Sequence, residues 1–320
     1  MGGRRITLER IEAGARAIDP VFLHTPQWIC EPLGEELGAR IALKAEVLNP
    51  IRRFKGRGAD WLVQNLPAGA SLMCASAGNF GQAMAYACRA RGVPLTVYAA
   101  ETANPLKIAR MRSMGARVVL AGNDFDTAKA TAREVATRDG IRFVEDSRDP
   151  EPTEGAGTIG LELLAFPERL DALLIPLGNG AMLAGIATVI KARLPETAVV
   201  AVGATGAPAM VESLTSGRVV SHDHIDTIAD RIGVRVPVPE ALDDLQGLVD
   251  ELILVPDDCI LRAMLLVHRH AGVVAEPSGA VGLAAVVQEP ARFAGMTVGT
   301  VICGGNLTPA QMREWLNEPA

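Results

Sequence analysis

Aromatic residues are scarce in this 320-residue chain: three Trp, two Tyr and seven Phe, or 4% of the total. A chain of roughly two domains' length must therefore fill its core with Ala, Val, Leu and Ile. With 32 Gly and 20 Pro cutting it into short segments, that composition suits alternating strands and helices. Cysteine is sparse too. Cys30, Cys74, Cys88, Cys259 and Cys303 lie far apart with no C-x-x-C pair, which excludes a disulfide scaffold, argues against zinc and suits reduced thiols in a cytoplasm. No run of like charge occurs and the formal net charge is −6, so nucleic acid is not an expected partner.

Long hydrophobic runs are missing as well. The opening stretch MGGRRITLERIEAGARAI has no apolar segment of the secretory kind, so secretion is not expected. Residues 172–190 carry no charge and approach the ~20 residues that span a bilayer. Pro176, Gly178, Asn179, Gly180 and Gly185 interrupt them, and a strand, a glycine turn and the start of a helix explain the stretch better than a membrane span. There is no internal repeat and no low-complexity tail, and the chain ends soon after its last expected strand, leaving no expected room for a regulatory domain.

What is present is alternation. Helical spacing is expected over 7–18, an extended linker around Pro26, a strand pair over 39–48 and a helix over 54–66. Strands at 71–76, 94–100, 116–122 and 141–147 alternate with helices at 82–92, 104–115 and 126–140. Parallel pairing follows, because a parallel neighbour is reached through a crossover. A second series runs through a helix at 157–166, a strand at 171–178, a helix at 181–194 and a strand at 197–204. After a polar stretch at 205–247 come a strand at 251–256, helices at 257–272 and 276–288, a strand at 296–305 and a helix at 308–316.

Four segments could carry chemistry. Lys55 follows Phe54 at a helix start, with Arg52, Arg53 and Arg57 nearby; the helix dipole and these cations disfavour its charged form, and a neutral amine there can form a Schiff base. Read alone, it is also an ordinary surface lysine in a basic cluster. Ser76-Ala-Gly-Asn-Phe-Gly-Gln82 joins a strand to a helix, where amides can bind a carboxylate or simply make a turn. Pro176-Leu-Gly-Asn-Gly-Ala-Met-Leu-Ala-Gly185 has small residues that let amides converge on a phosphate, without either usual nucleotide fingerprint. Val301-Ile-Cys-Gly-Gly-Asn306 ends a buried strand where α/β ligands tend to sit.

In combination and order these segments resemble the fold-type II pyridoxal-phosphate enzymes, the tryptophan-synthase-β-like superfamily, and within it the serine/threonine dehydratase and serine racemase group. The resemblance runs nearly end to end. It rests on His24-Thr-Pro26, Phe54-Lys55, S-A-G-N at 76–79, N-P-L-K-I-A-R-M-R-S-M-G-A from Asn104, E-G-A-G-T-I-G-L-E at 154–162, the glycine loop, I-A-D at 228–230, E-P-S-G-A at 276–280 and C-G-G-N at 303–306. It implies two open twisted sheets flanked by helices, with a small substrate-closing domain at 71–148 inserted in a large cofactor-binding domain formed by 1–70 and 149–320. It also implies pyridoxal 5'-phosphate bound to Lys55, which then removes the substrate's α-proton. Phe54 packs on the ring; Gly178, Asn179, Gly180, Ala181 and Met182 wrap the phosphate; Ser76, Ala77, Gly78 and Asn79 grip the substrate carboxylate, and Cys303 faces the pyridine nitrogen. A homodimer acting on a small amino acid in the cytoplasm is the family expectation.

Departures from the family pattern sharpen the expectation. Ala77 stands where serine racemases carry a second serine, which argues against racemisation. The stretch GATGAPAM at 203–210 offers no carboxylate to a divalent metal. Phe80 stands where relatives often have His. Arg53 and Arg231 replace smaller residues; both either point to solvent, the commoner fate of arginine, or one clamps a second anion on the substrate. The acidic chain would then have a cationic active site. The expected activity is elimination of water from a serine- or threonine-like amino acid, or an acidic analogue, through an aminoacrylate to a 2-oxo acid and ammonia. Two alternatives stay open: β-replacement or threonine-synthase-like chemistry on an anionic amino acid, and a phosphate-binding protein without catalysis.

Overall fold

The computed structural model describes residues 4–76 and 78–317. Helix α1 (Leu8–Ala17) starts where the Thr7 hydroxyl accepts the Arg10 amide at 3.3 Å. It leads to β1 (Gln27–Ile29), α2 (Glu31–Leu37), β2 (Arg40–Ala45) and α3 (Lys55–Gln64). A parallel series follows: β3 (Leu72–Ala75), α4 (Asn79–Ala90), β4 (Leu95–Ala99), α5 (Pro105–Ser113), β5 (Arg117–Leu120), α6 (Phe125–Asp139) and β6 (Arg142–Val144). The chain continues through α7 (Pro150–Leu163), β7 (Ala172–Pro176), α8 (Ala181–Arg193), β8 (Ala198–Ala204), α9 (Ala209–Ser216), α10 (Pro239–Leu245) and β9 (Glu251–Val255). It closes with α11 (Asp257–Ala271), α12 (Pro277–Gln288), α13 (Pro290–Phe293), β10 (Thr297–Ile302) and α14 (Pro309–Trp315). Local chemistry sets many of these ends. Asp124 caps α6 through the Thr127 amide at 2.7 Å, Asn104 caps α5 ahead of Pro105, and Thr308 with Gln311 forms a capping box on α14.

Two sheets result. One has six strands in the order β1-β2-β10-β7-β8-β9, the other four in the order β5-β4-β3-β6. All pairings are parallel except β1 with β2. Strand β7 is buried along its whole length, as a parallel strand covered on both faces must be. Ala, Val, Leu and Ile from β7, β8, β10 and α12 dominate the core around the larger sheet. Among the described residues no helix is long and apolar enough to cross a membrane.

Three expectations need correction. The linker around Pro26 contains β1, whose residues Gln27, Trp28 and Ile29 pair with Lys44, Leu43 and Ala42, so 39–48 holds one strand rather than a pair. The polar stretch 205–247 contains α9 and α10, which bury only a few residues each, too few to show as a period. Helix α7 begins at Pro150, seven residues before the expected start. Its glycines read as breakers, yet they are contact points: a Cβ on Gly155 would lie 2.4 Å from Gly58 Cα, so α3 and α7 can touch only because both residues are glycine.

Polar groups lock α3 and α7 to the rest. Arg57, fully buried, donates to both oxygens of Glu46 at 2.8 Å, to Glu162 Oε2 at 3.0 Å and to Thr158 at 2.9 Å. Lys44, also buried, pairs with Glu162 and donates to the Thr25 carbonyl at 2.7 Å. Burial works against ionisation of Glu162, but Arg57 and Lys44 outweigh it and hold its carboxyl at about 2. A depressed carboxylate contributes stability above its unfolded pKa that is lost as pH falls through the folded value, here between about pH 4.5 and 2, and amounts to roughly 3 kcal/mol. Urea unfolding across pH 6 to 2 should show Glu162→Gln well below the wild type at pH 6, with the gap closing toward pH 2. A gap independent of pH would show that Glu162 is not ionised in the fold.

Candidate active site

Lys55 is the first residue of α3 and its Nζ lies 5.0 Å from the ring centre of the preceding Phe54. Of the expected cations, Arg53 shares a recess with it and Arg57 does not. Arg57 turns into the core toward Glu46 and Glu162, and the charge that meets Lys55 Nζ is the Asp146 carboxylate. Asn179 Nδ2 donates to the same Asp146 oxygen, so the lysine, the end of β6 and the turn after β7 converge on one point.

Two helix starts with glycine at the N-cap face this point. Ser76 follows β3, and its buried hydroxyl accepts the amides of Gly78 at 3.1 Å and Gly81 at 3.0 Å, which pins the turn into α4. Asn79 and Phe80 form the first turn of α4 and are buried. Ala77 lies outside the described residues. After β7, Gly178 packs so closely on Ile232 that a Cβ would sit 3.1 Å from its Cα, and Gly180 has φ +95°, a conformation suited to glycine. Ala181 and Met182 open α8, where Gly180 supplies no cap and the Ala181 amide makes only a long 3.5 Å bond to Asn179 Oδ1. Such an end presents backbone amides to an anion.

Cys303 closes the recess from below. Burial pushes its thiol up to about 11 despite Arg53 and Lys55 nearby, so it is a neutral donor, and it donates to the Ser278 carbonyl at 3.5 Å. The Phe54 amide donates to the Cys303 carbonyl at 3.2 Å. Arg53, Phe54, Lys55, Gly178, Asn179 and Gly180 line this narrow recess together with Met182, Arg231 and Cys303. It opens into a wider cleft of about 490 Å³ that reaches Ser76, Gly78, Asn79, Phe80, Asp146 and Arg231.

The reading of both arginines as solvent-facing is wrong. Arg53 is 2% exposed and ion-paired with the equally buried Glu276. Burial, and after it the nearby Arg231, push its pKa down to about 9 in spite of Cys303 and Asp230. Lining the recess and paired in this way, it does not reach the wider cleft. Arg231 does. Its Nε bonds Asp230 at 3.1 Å, and its Nη1 would stand 2.9 Å from a Cβ on Gly78, directly over the turn that starts α4. The Arg231 amide is fixed by Ser278 Oγ at 3.1 Å.

Sequence reasoning missed Asp146 as a site residue. Its signal was faint: two carboxylates, Glu145 and Asp146, at the C-terminal end of a strand in a parallel sheet, where ligands bind. Glu276 and Ser278 stood inside the E-P-S-G-A segment without an assigned part.

The recess fits a phosphorylated pyridine. The start of α8 and Gly178 would hold the phosphate, Phe54 and Cys303 would border the ring, and Lys55 would carry the covalent bond. Comparison with known proteins agrees. The model of the family described as "Pyridoxal-phosphate dependent enzyme" matches residues 18–304. The chain is 35% identical to the L-threonine ammonia-lyase of Thermotoga maritima over 305 residues, covering 94% of this chain and 76% of that protein. The crystal structure of the T.th. threonine deaminase superposes with a TM-score of 0.88 at 34% identity, covering 94% and 99% of the two chains. A pyridoxal 5'-phosphate-dependent aspartate racemase does so with 0.88 at 28% identity, covering 97% and 99%. The chain thus belongs to the pyridoxal-phosphate-dependent enzymes, in the group of threonine dehydratases and serine racemases.

Proposed function

We propose that the protein is an ammonia-lyase that eliminates water from a β-hydroxy amino acid and releases a 2-oxo acid and ammonia. The observation that carries this reading is the convergence of Lys55, the start of α4 and Arg231 on one cleft. The similarity to an L-threonine ammonia-lyase supports it. Pyridoxal phosphate, when bound, spreads the negative charge that develops at the substrate's α-carbon. Lys55 Nζ then takes the α-proton, and Asn79 at the start of α4, with Ser76 pinning the turn, holds the carboxylate. Cys303 is a neutral thiol already donating to the Ser278 carbonyl, so it would offer the cofactor ring no strong proton donor, which favours prompt loss of a leaving group. An alanine at position 77 carries no proton acceptor, which again supports elimination over racemisation.

Arg231 gives the reading its substrate class. Its Nη1 hangs over the turn at Gly78 while its Nε is shared with Asp230, so a second substrate anion, a β-carboxylate or phosphate, has a guanidinium to meet. Similarity to an aspartate racemase, named for an acidic amino acid, favours the same direction. Closure of the 71–148 unit over the larger one formed by 1–70 and 149–320 belongs to this reading. Phe125 of α6 and Val236 lie exposed along the same cleft, and closure would bury both. A cytoplasmic homodimer is the matching setting, consistent with five free thiols.

Two results test the proposal. Wild type incubated with pyridoxal phosphate should gain a visible absorbance band that Lys55→Ala abolishes; a colourless wild type overturns it. Against serine, threonine, 3-hydroxyaspartate and O-phosphoserine, Arg231→Ala should lower kcat/KM for the dianionic substrates about 10–100-fold, the worth of one charged hydrogen bond. The monoanionic substrates should change little. Equal discrimination by both proteins removes Arg231 from the account.

A further inference from the structure

Asp146 stands where β6 gives way to α7. Its Oδ2 meets Lys55 Nζ and Asn179 Nδ2, and among the described residues no hydrogen bond reaches Oδ1. The carboxylate lines the cleft beside Ser76, Asn79 and Arg231. Its neighbour Glu145 is committed to Lys129 and Arg133, so of two adjacent acids only Asp146 reaches the lysine. The turn that presents it is held at a backbone cost. Ser147 adopts φ +67°, a left-handed conformation for a residue with a side chain, and is buried. Around it the Glu145 amide donates to Asp149 Oδ2 at 2.7 Å, the Glu145 carbonyl accepts the Arg148 and Asp149 amides, and Arg5 donates to the Ser147 carbonyl at 3.1 Å. Strain maintained by this many bonds is common at functional sites.

This inference rests on the dehydration reading and supplies what that reading lacks. A hydroxyl departs poorly as hydroxide and needs a proton as the Cβ–O bond breaks. We propose that Asp146 delivers it. Lys55 Nζ takes the proton from Cα, the C–H electron pair becomes the Cα–Cβ double bond, and the Cβ–O pair leaves with oxygen. The lysine ammonium passes its proton across the observed contact to the Asp146 carboxylate, which hands it to the departing oxygen, so water leaves. The proton removed from carbon and the proton gained by oxygen balance, and both groups return to their starting states.

Leaving-group dependence tests this. In the cofactor-loaded enzyme, Asp146→Asn and Asp146→Glu are compared with wild type on the β-hydroxy amino acid it turns over best and on β-chloro-L-alanine, whose chloride departs without a proton. Visible absorbance and melting temperature confirm loading and folding. Asp146→Asn should lower kcat on the β-hydroxy substrate by about 100-fold or more, and at least about tenfold more than on β-chloroalanine, whose α-proton loss uses the same Lys55. Asp146→Glu should restore part of the loss. If the Asn variant fails to fold or to load, the Glu variant carries the comparison, with a larger loss expected on the hydroxy than on the chloro substrate. Variants that treat the two substrates alike, unchanged or equally impaired, overturn the role of Asp146. A wild type that processes β-chloroalanine but no β-hydroxy amino acid overturns the dehydration reading itself, a distinct result.

Discussion

The buried guanidinium of Arg57 is the constraint on which the site depends. It has no contact with solvent and must satisfy its charge inside the protein, where an unpaired ion would cost several kcal/mol. Burial opposes its charge, yet Glu46 and Glu162 outweigh burial and raise its pKa. Those partners come from the end of β2 and from α7, so one side chain ties a sheet strand and two helices together. Lys55 is two residues earlier on the same helix, about 200° away around its axis. With Arg57 fixed inward, Lys55 faces the cleft. The glycine contact between Gly58 and Gly155 sets how near α7 comes, and Lys44 and Thr25 complete the lock from β2 and the chain before β1.

The cleft built on this frame is balanced in charge. Lys55, Lys129 and Arg231 line it opposite Asp146, Glu145 and Asp230. The expectation of a cationic active site is therefore replaced by paired charges, of which Arg231 keeps donors directed over the α4 turn. Arg53 contributes differently, as half of a buried pair with Glu276 behind the recess. Its burial gives the floor of the site a fixed polarity without placing it among the groups that touch substrate. The scarcity of aromatics also acquires a use: Phe54 borders the recess, and Phe80, Phe125 and Phe143 line the cleft, four of the seven phenylalanines in the chain.

Much of this was legible in residues 54–55, 76–82, 176–185 and 301–306, because a strand, a turn of small residues and a helix start leave a local mark. Parallel pairing followed from alternation alone, and the family from the order of the segments. What stayed hidden depends on contacts between distant parts of the chain. Arg57 reads as one of several cations until Glu46 and Glu162 are placed beside it. Strand β1 is three residues long and takes its shape from β2 rather than from its own pattern. The glycines of α7 suggest a break where tertiary contact demands a helix. Asp146 has no motif, and only the fold brings it to Lys55.

The central claim is that one of the chain's five lysines, Lys55, carries the cofactor. Lys44 is locked to Glu162, Lys191 to Asp250 and Lys129 to Glu145, and Lys107 lies on α5 outside the recess. Borohydride reduction of the pyridoxal-phosphate-loaded protein, followed by peptide mapping with mass spectrometry, locates the attachment directly. The account predicts a single reduced adduct on the peptide containing Lys55. An adduct on any of the other four, or none, would contradict it.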